Sequence, residues 1–208
     1  MTIADQQIMQ QSYKQNLLEA LYVRSFMYDP DCGFTLSSGE KSDVYIDTKR
    51  TVYNSLGMEL VGYAFYQELQ NAPIDALGGL TLGADGISMA TALICGMRNK
   101  LLDVFVIRKD PKTHGTRKWI EGGVKKGADV LVVDDVVTTG ASIITAVERA
   151  REEGLNVRKA MALVDREEGG AENIMEKTGL RFSAIITKSE LLELHREQEE
   201  DEDKDTDI

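Results

Sequence analysis

The sequence predicts an α/β domain, a mostly parallel sheet with helices on both faces. Three observations carry this reading. Apolar runs at 104–107, 130–133 and 161–164 each have the length and composition of a strand buried on both faces. Helix-length segments bounded by turn signals separate the runs, the spacing of a βαβ arrangement. A chain of 208 residues with 42% hydrophobic content and 18 glycines is large enough for one good-sized core and rules out wholesale disorder.

From about Gln6 to Met27, Leu17, Leu18, Leu21 and Tyr22 fall at helical spacing and predict an amphipathic helix. Turn signals occupy Gly33 to Gly39, and Val44-Tyr45-Ile46 reads as a short strand. A helix is expected over Gly57–Leu69, a buried strand ending in glycines over Ile74–Gly79, and a further helix over Gly86–Arg98. Strands follow at Val104–Ile107, Val130–Val133 and Met161–Val164. Between the last two, Asp134 to Gly140 leads into a helix over Ala141–Glu153, whose end Gly154 marks. Open sheets of this kind bind ligands beyond the carboxyl ends of their strands, so function is sought in the segments just after the apolar runs.

Charge narrows the partners. The chain holds 24 basic and 35 acidic residues, a net −11, but positions 197–208 alone carry eight acids and one base. The body over residues 1–196 is therefore near −4, an ordinary domain without the broad basic face of a nucleic-acid binder. The tail from 196 to 208 is expected to be disordered. No run approaches the roughly 20 apolar residues of a membrane span. The polar, glutamine-rich start has no apolar stretch to act as a secretion signal. Cys32 and Cys95 lack metal-site spacing and read as reduced thiols of a cytoplasmic protein.

The strongest local signal is VLVVDDVVTTGAS, Val130 to Ser142. An apolar strand delivers the adjacent carboxylates Asp134 and Asp135, then a hydroxyl-rich turn, then a helix start. Backbone N–H groups at a helix N-terminus form an anion site, to which Thr138, Thr139 and Ser142 add hydroxyl donors. Gly140 allows close backbone approach to a phosphate. The acids in front of an anion site make sense as acceptors for sugar hydroxyls or as neighbours of a metal cation. The turn has no lysine and is not a Walker loop.

Residues 108–126 are the most basic segment, with Arg108, Lys109, Lys112, Arg117, Lys118, Lys125 and Lys126 against Asp110 and Glu121. Their polar, Pro- and Gly-containing sequence suits a mobile lid that closes over a departing anion. Trp119 is placed to pack that lid down. Arg166 follows the 161–164 run and should emerge at the ligand edge, where a guanidinium can hold a carboxylate by two parallel hydrogen bonds.

Four segments in order then carry a resemblance covering about residues 30 to 190. VLVVDDVVTTGAS resembles the phosphoribosyl-diphosphate (PRPP) motif of the type I phosphoribosyltransferases. Phe34 to Gly39 with Ser42 and Tyr45 resembles the F-x-L-x-S-G-x-x-S signature of orotate phosphoribosyltransferases. Ile107 to Gly115, leading to Ile120-Glu121-Gly122, resembles their catalytic loop, and Ala162 to Gly170 their base-binding segment. The resemblance implies a type I phosphoribosyltransferase-like fold, with a helix-and-hood segment over 1–50 and a core over 51–195. It implies transfer of phosphoribose from PRPP to orotate, giving orotidine 5'-monophosphate and pyrophosphate for pyrimidine nucleotide synthesis.

By the same resemblance Asp134 and Asp135 hold the ribose hydroxyls, and Val136, Val137, Thr138, Thr139, Gly140, Ala141 and Ser142 the 5-phosphate. Arg108, Lys109, Lys112 and His114 meet the pyrophosphate, with Lys109 the most damaging single lid substitution, and Thr138 and Arg166 contact orotate. Mg2+ is expected mainly on PRPP oxygens, with few or no direct protein ligands, and a homodimer with shared active sites is expected. The chain departs from the commoner pattern at Ser37 and Asp85, each where many bacterial members carry lysine, and at Ser88 in place of proline. It looks like a cyanobacterial-like variant in which Gly79 to Gly83 supply backbone amides instead. The competing readings are transfer to another nucleobase, or a non-catalytic PRPP sensor, which would not need the lid.

Overall fold

The computed structural model describes residues 3–31, 33–35, 41–110 and 119–206, and side chains of these between 12 and 201. The first helix, α1 (Ile3–Ser25), buries Leu17 and Leu21 as its apolar spacing demands. It stops at Ser25 because Phe26–Tyr28 is used as a strand, β1. Two short strands, β2 (Phe34–Thr35) and β3 (Lys41–Ser42), pair with each other. The next, β4 (Val44–Ile46), runs antiparallel to β1 with Phe26 opposite Ile46. These four strands form the hood. A one-turn helix α2 (Lys49–Val52) and α3 (Ser55–Leu69) follow, the latter capped by Asn54, whose side chain accepts from the N–H groups of Leu56 and Gly57.

The core alternates as predicted: β5 (Ala76–Leu80), α4 (Gly83–Met97), β6 (Asp103–Ile107), β7 (Ile120–Gly122), β8 (Asp129–Val137), α5 (Ala141–Glu152), β9 (Asn156–Asp165), α6 (Gly170–Thr178), β10 (Phe182–Thr187) and α7 (Lys188–Thr206). One sheet of six strands, in the order β10-β9-β8-β5-β6-β7, is parallel except for β7, which runs back along β6. Successive residues of β8 and β9 point to opposite faces. Leu131, Val133, Met161 and Leu163 join the core beneath α1, α3, α4 and α7, whereas Val130, Val132, Ala160 and Ala162 meet the apolar faces of α5 and α6. That double burial is why these strands read as unbroken apolar runs. The hydrophobic pattern located the predicted strands but not their full length. The central pair β8 and β9 run to nine and ten residues, so the acids at 134 and 135 are still hydrogen-bonded strand.

Disorder was expected over 196–208, but α7 continues as helix to Thr206, the last described residue. The Thr187 N–H donates to Glu190 Oε2 at 2.7 Å and the Glu190 N–H to Thr187 Oγ1 at 3.2 Å, a reciprocal capping box that starts the helix. Leu191 and Leu194 bury its first turns, and the Glu, Gln, Lys and Arg beyond are good helix formers despite their like charges. His195 sits on this helix against Tyr22, Phe26 and Tyr28, with Tyr22 Oη 3.0 Å from its Nδ1, and so anchors α7 to the hood. Among the described residues no helix is long and apolar enough to cross a membrane.

Candidate active site

The connection after β5 goes through α4 to β6 on one side, while β8 lies on the other side of β5 and leads away to β9 and β10. The chain thus diverges between β5 and β8, and a crevice opens beyond their carboxyl ends. On the β5 side the crevice is walled by the Thr81–Leu82 peptide, which is cis, and the first turn of α4. Thr81 Oγ1 donates to Asp85 Oδ2 at 2.6 Å, and Tyr53 Oη to the Leu82 carbonyl at 3.1 Å. Asp85 therefore organises the loop from an electrostatically favourable place, the N-terminal turn of a helix.

Asp134 and Asp135 close the β8 side. Asp134 is buried and accepts from the Asp135 N–H at 3.0 Å through Oδ1. Burial first, and then the charge of Asp135, push its pKa up to about 7. Asp135 Oδ2 accepts from Thr48 Oγ1 and Lys49 Nζ, both at 2.9 Å. Burial opposes the Lys49 charge, but the hydrogen bond and charge of Asp135 outweigh it and raise the ammonium pKa. Gly83, first residue of α4, lies so close that an added Cβ would stand 2.5 Å from Asp134 Oδ1 and 2.6 Å from Asp135 Oδ1.

Past Val137 the chain turns into α5. Asp134, Val136 to Ser142 line one cavity of about 190 Å³, with Thr139, Ala141 and Ser142 exposed to it. The free N–H groups of the first turn of α5 belong to this cup. The fold itself requires glycine at 140: its φ is +82°, and Ile174 and Gly170 of α6 stand where a side chain would go.

Arg166 is brought to the same edge, its N–H donating to the Val137 carbonyl at 2.9 Å. The guanidinium is buried and engaged: Nε donates to Glu168 Oε1 at 3.1 Å, Nη2 to Ser42 Oγ at 3.0 Å, and both Nη atoms reach the Val44 carbonyl at 3.4 Å. Burial disfavours the Glu168 charge, yet hydrogen bonds from Arg166 and Lys188 hold its pKa below the usual range. Arg166 thus ties the hood to the sheet edge rather than standing free.

Of the lid residues, Lys112 and His114, with Arg117 and Lys118, lie outside the described residues, as does Ser37. Arg108 does not reach the phosphate cup; its Nη1 pairs with Glu121 at 3.3 Å. Lys109 is exposed and lines a cleft with Thr81, Leu82, Arg108 and Glu121, facing the β5–α4 loop. Trp119 packs where this segment returns to the sheet: the Arg149 guanidinium lies 4.0 Å over its ring, and the Trp119 backbone N–H donates to Glu153 Oε1 at 3.0 Å. Thr48 and Lys49 are the site residues that sequence reasoning missed; the available signal was the Thr-Lys-Arg cluster directly after the Val44–Ile46 strand.

Comparison with known proteins decides the family. Residues 65–187 match the phosphoribosyl transferase domain. An orotate phosphoribosyltransferase of Aquifex aeolicus is 43% identical over 179 residues, 86% of this chain and 97% of that protein. The chain belongs to the orotate phosphoribosyltransferase family. A family member from the cyanobacterium Nostoc is 39% identical over 165 residues, 79% of each chain. The crystal structure of the Mycobacterium tuberculosis enzyme in complex with PRPP superposes with a TM-score of 0.70 at 32% identity, over 86% of this chain and 98% of that one. The phosphoribosyltransferase-like fold and the cyanobacterial likeness expected from the sequence both hold.

Proposed function

We infer that this protein is an orotate phosphoribosyltransferase, transferring phosphoribose from PRPP to orotate with release of pyrophosphate. The observation that carries the reading is the run from the acid pair at the end of β8 straight into an amide- and hydroxyl-lined cup, with a buried arginine on the adjacent strand end. Asp134 and Asp135 accept hydrogen bonds from the ribose hydroxyls and fix the sugar. The cup from Val136 to Ser142 holds the 5-phosphate by backbone N–H groups and the hydroxyls of Thr138, Thr139 and Ser142. Thr138 and Arg166 bind orotate; a carboxylate joins the guanidinium by sharing the Nη2 donor now on Ser42. Ribose C1 then sits between the base and the cleft that Lys109 lines.

The reaction needs no protein nucleophile. As the bond from C1 to pyrophosphate breaks, positive charge grows on the sugar and negative charge on the leaving group. Arg108, Lys109, Lys112 and His114 are the lid groups that neutralise the latter while excluding water. Among the described residues no cluster of three or more potential ligands could hold a metal by itself. The hard carboxylate oxygens of Asp134 and Asp135 beside the sugar site fit an Mg2+ carried mainly by PRPP oxygens, which would supply further charge neutralisation.

A homodimer belongs to this proposal. On α4, Met89, Leu93 and Met97 are more than half exposed at successive turns, a stripe that a second copy would cover. Lid residues then act in the partner's crevice. A cytoplasmic location accords with the free, buried thiol of Cys95.

The test follows orotate absorbance after mixing protein, PRPP and Mg2+, with uracil as control. Orotate-specific turnover is expected, falling about 100-fold in Arg166→Ala through loss of a buried charge-assisted contact. Turnover of uracil, or full activity of the variant, would move the reading to another nucleobase.

A further inference from the structure

Among the described residues, the base that contacts the acid pair is Lys49. Arg108 pairs with Glu121 and Arg166 with Glu168, while the loop after β5 carries Asp85. PRPP is polyanionic, so two carboxylates facing it need a cation beside them. Lys49 provides one. Its backbone is fixed where α2 meets α1: the Asp47 N–H donates to the Ser25 carbonyl, Ser25 Oγ lies 2.7 Å from Thr51 Oγ1, and Thr51 Oγ1 donates to the Ala20 carbonyl. From there the ammonium reaches Asp135 Oδ2 at 2.9 Å while the side chain stays 46% exposed. Tyr53, one turn on, bonds the Leu82 carbonyl, so this face of α2 looks across to the β5–α4 loop.

A purely structural ion pair is the weaker account of this contact. Thr48, fully buried, already joins the same oxygen and holds α2 to β8. A half-exposed lysine adds little stability to a link made beside it. An ammonium has three donors, and one directed at Asp135 leaves others for a second anion.

We propose that Lys49 is a further PRPP-binding residue, its ammonium bridging Asp135 and the pyrophosphate oxygens of PRPP from the α2 side of the crevice. It thereby supplies, from a different element, positive charge that the β5–α4 loop lacks. The proposal rests on the PRPP reading of this site.

The experiment is calorimetric titration of the full-length protein with PRPP and Mg2+, without orotate, for the unsubstituted protein and for Lys49→Ala, Lys49→Gln and Lys49→Arg. Ribose 5-phosphate, which has the sugar and 5-phosphate but no pyrophosphate, is titrated in parallel. Loss of one charge-assisted contact weakens PRPP binding by about tenfold in the Ala and Gln variants. Ribose 5-phosphate binding stays within about twofold, Arg restores most of the PRPP affinity, and melting temperatures are unchanged. Unchanged PRPP affinity in the Ala and Gln variants overturns the proposal. So does an equal weakening for ribose 5-phosphate, which would mean that Lys49 acts only through Asp135. Orotate plays no part in these titrations. Lys49-dependent PRPP binding in a protein that fails to consume orotate would sink the substrate assignment and leave this one standing.

Discussion

Asp134 is the residue where folding and function pull against each other. A carboxyl buried beside another carboxylate costs free energy when ionised, and its pKa rises from 3.8 to about 7. Because the folded state holds this proton where the unfolded chain has released it, stability falls as pH rises through that window. Replacing the acid by its neutral amide removes the cost. Asp134→Asn is therefore expected to melt well above the unsubstituted protein at about pH 8 and by a smaller margin at about pH 5, while PRPP binding weakens at both. Thermal melts at the two pH values check this; an equal shift at both would mean that Asp134 is not protonated at the lower one. The same crowding explains Gly83, since any side chain there would drive into both carboxylates.

At the scale of elements, the segment proposed as the lid has an anchored base. β6 and β7 pair antiparallel, the Arg108 N–H bonds the Trp119 carbonyl at 2.9 Å, and α5 clamps both ends. Arg149 stacks on Trp119 and donates to the Arg108 carbonyl at 2.7 Å, while Glu153 takes the Trp119 N–H. The helix that begins at the phosphate cup thus also sets where the lid starts. Arg149→Ala should cost about 1–2 kcal/mol in urea unfolding, from the cation–π contact and one hydrogen bond. It should lower kcat/KM about tenfold by misplacing Lys109. A variant with normal kcat/KM would show that the lid closes without this clamp.

For the whole molecule, the proposed dimer would have two crevices share their parts. The stripe of Met89, Leu93 and Met97 runs along the helix whose first turn walls the crevice, so an interface there would couple assembly to the site. Leu93→Glu should give a monomer by light scattering and lose most activity. Mixing inactive Lys109→Ala protein with inactive Asp134→Asn protein should restore part of the activity, since hybrid dimers hold one intact site if the lid acts in trans. A monomeric unsubstituted protein, or hybrids without activity, would count against the shared arrangement.

Local chemistry made much of this readable from the chain alone. The apolar runs at 104–107, 130–133 and 161–164 are strands because a sheet covered on both faces leaves no polar alternate positions. The acid pair and hydroxyl turn are contiguous, so their delivery by one strand end was visible. The Thr187–Glu190 capping box is equally local, but sequence reasoning missed it, and the acidity beyond it suggested disorder instead.

What the sequence determined by itself was therefore the layered fold and the run of acid pair, hydroxyl turn and helix start at the end of β8. Only the tertiary structure decided which distant side chains complete the site. Thr48 and Lys49 meet Asp135 across 87 and 86 residues, and Ser42 meets Arg166 across 124. Such contacts depend on strand order and on how the hood docks over the sheet. They leave no periodic trace in the sequence, because they arise from packing between elements rather than from the conformation of any one of them.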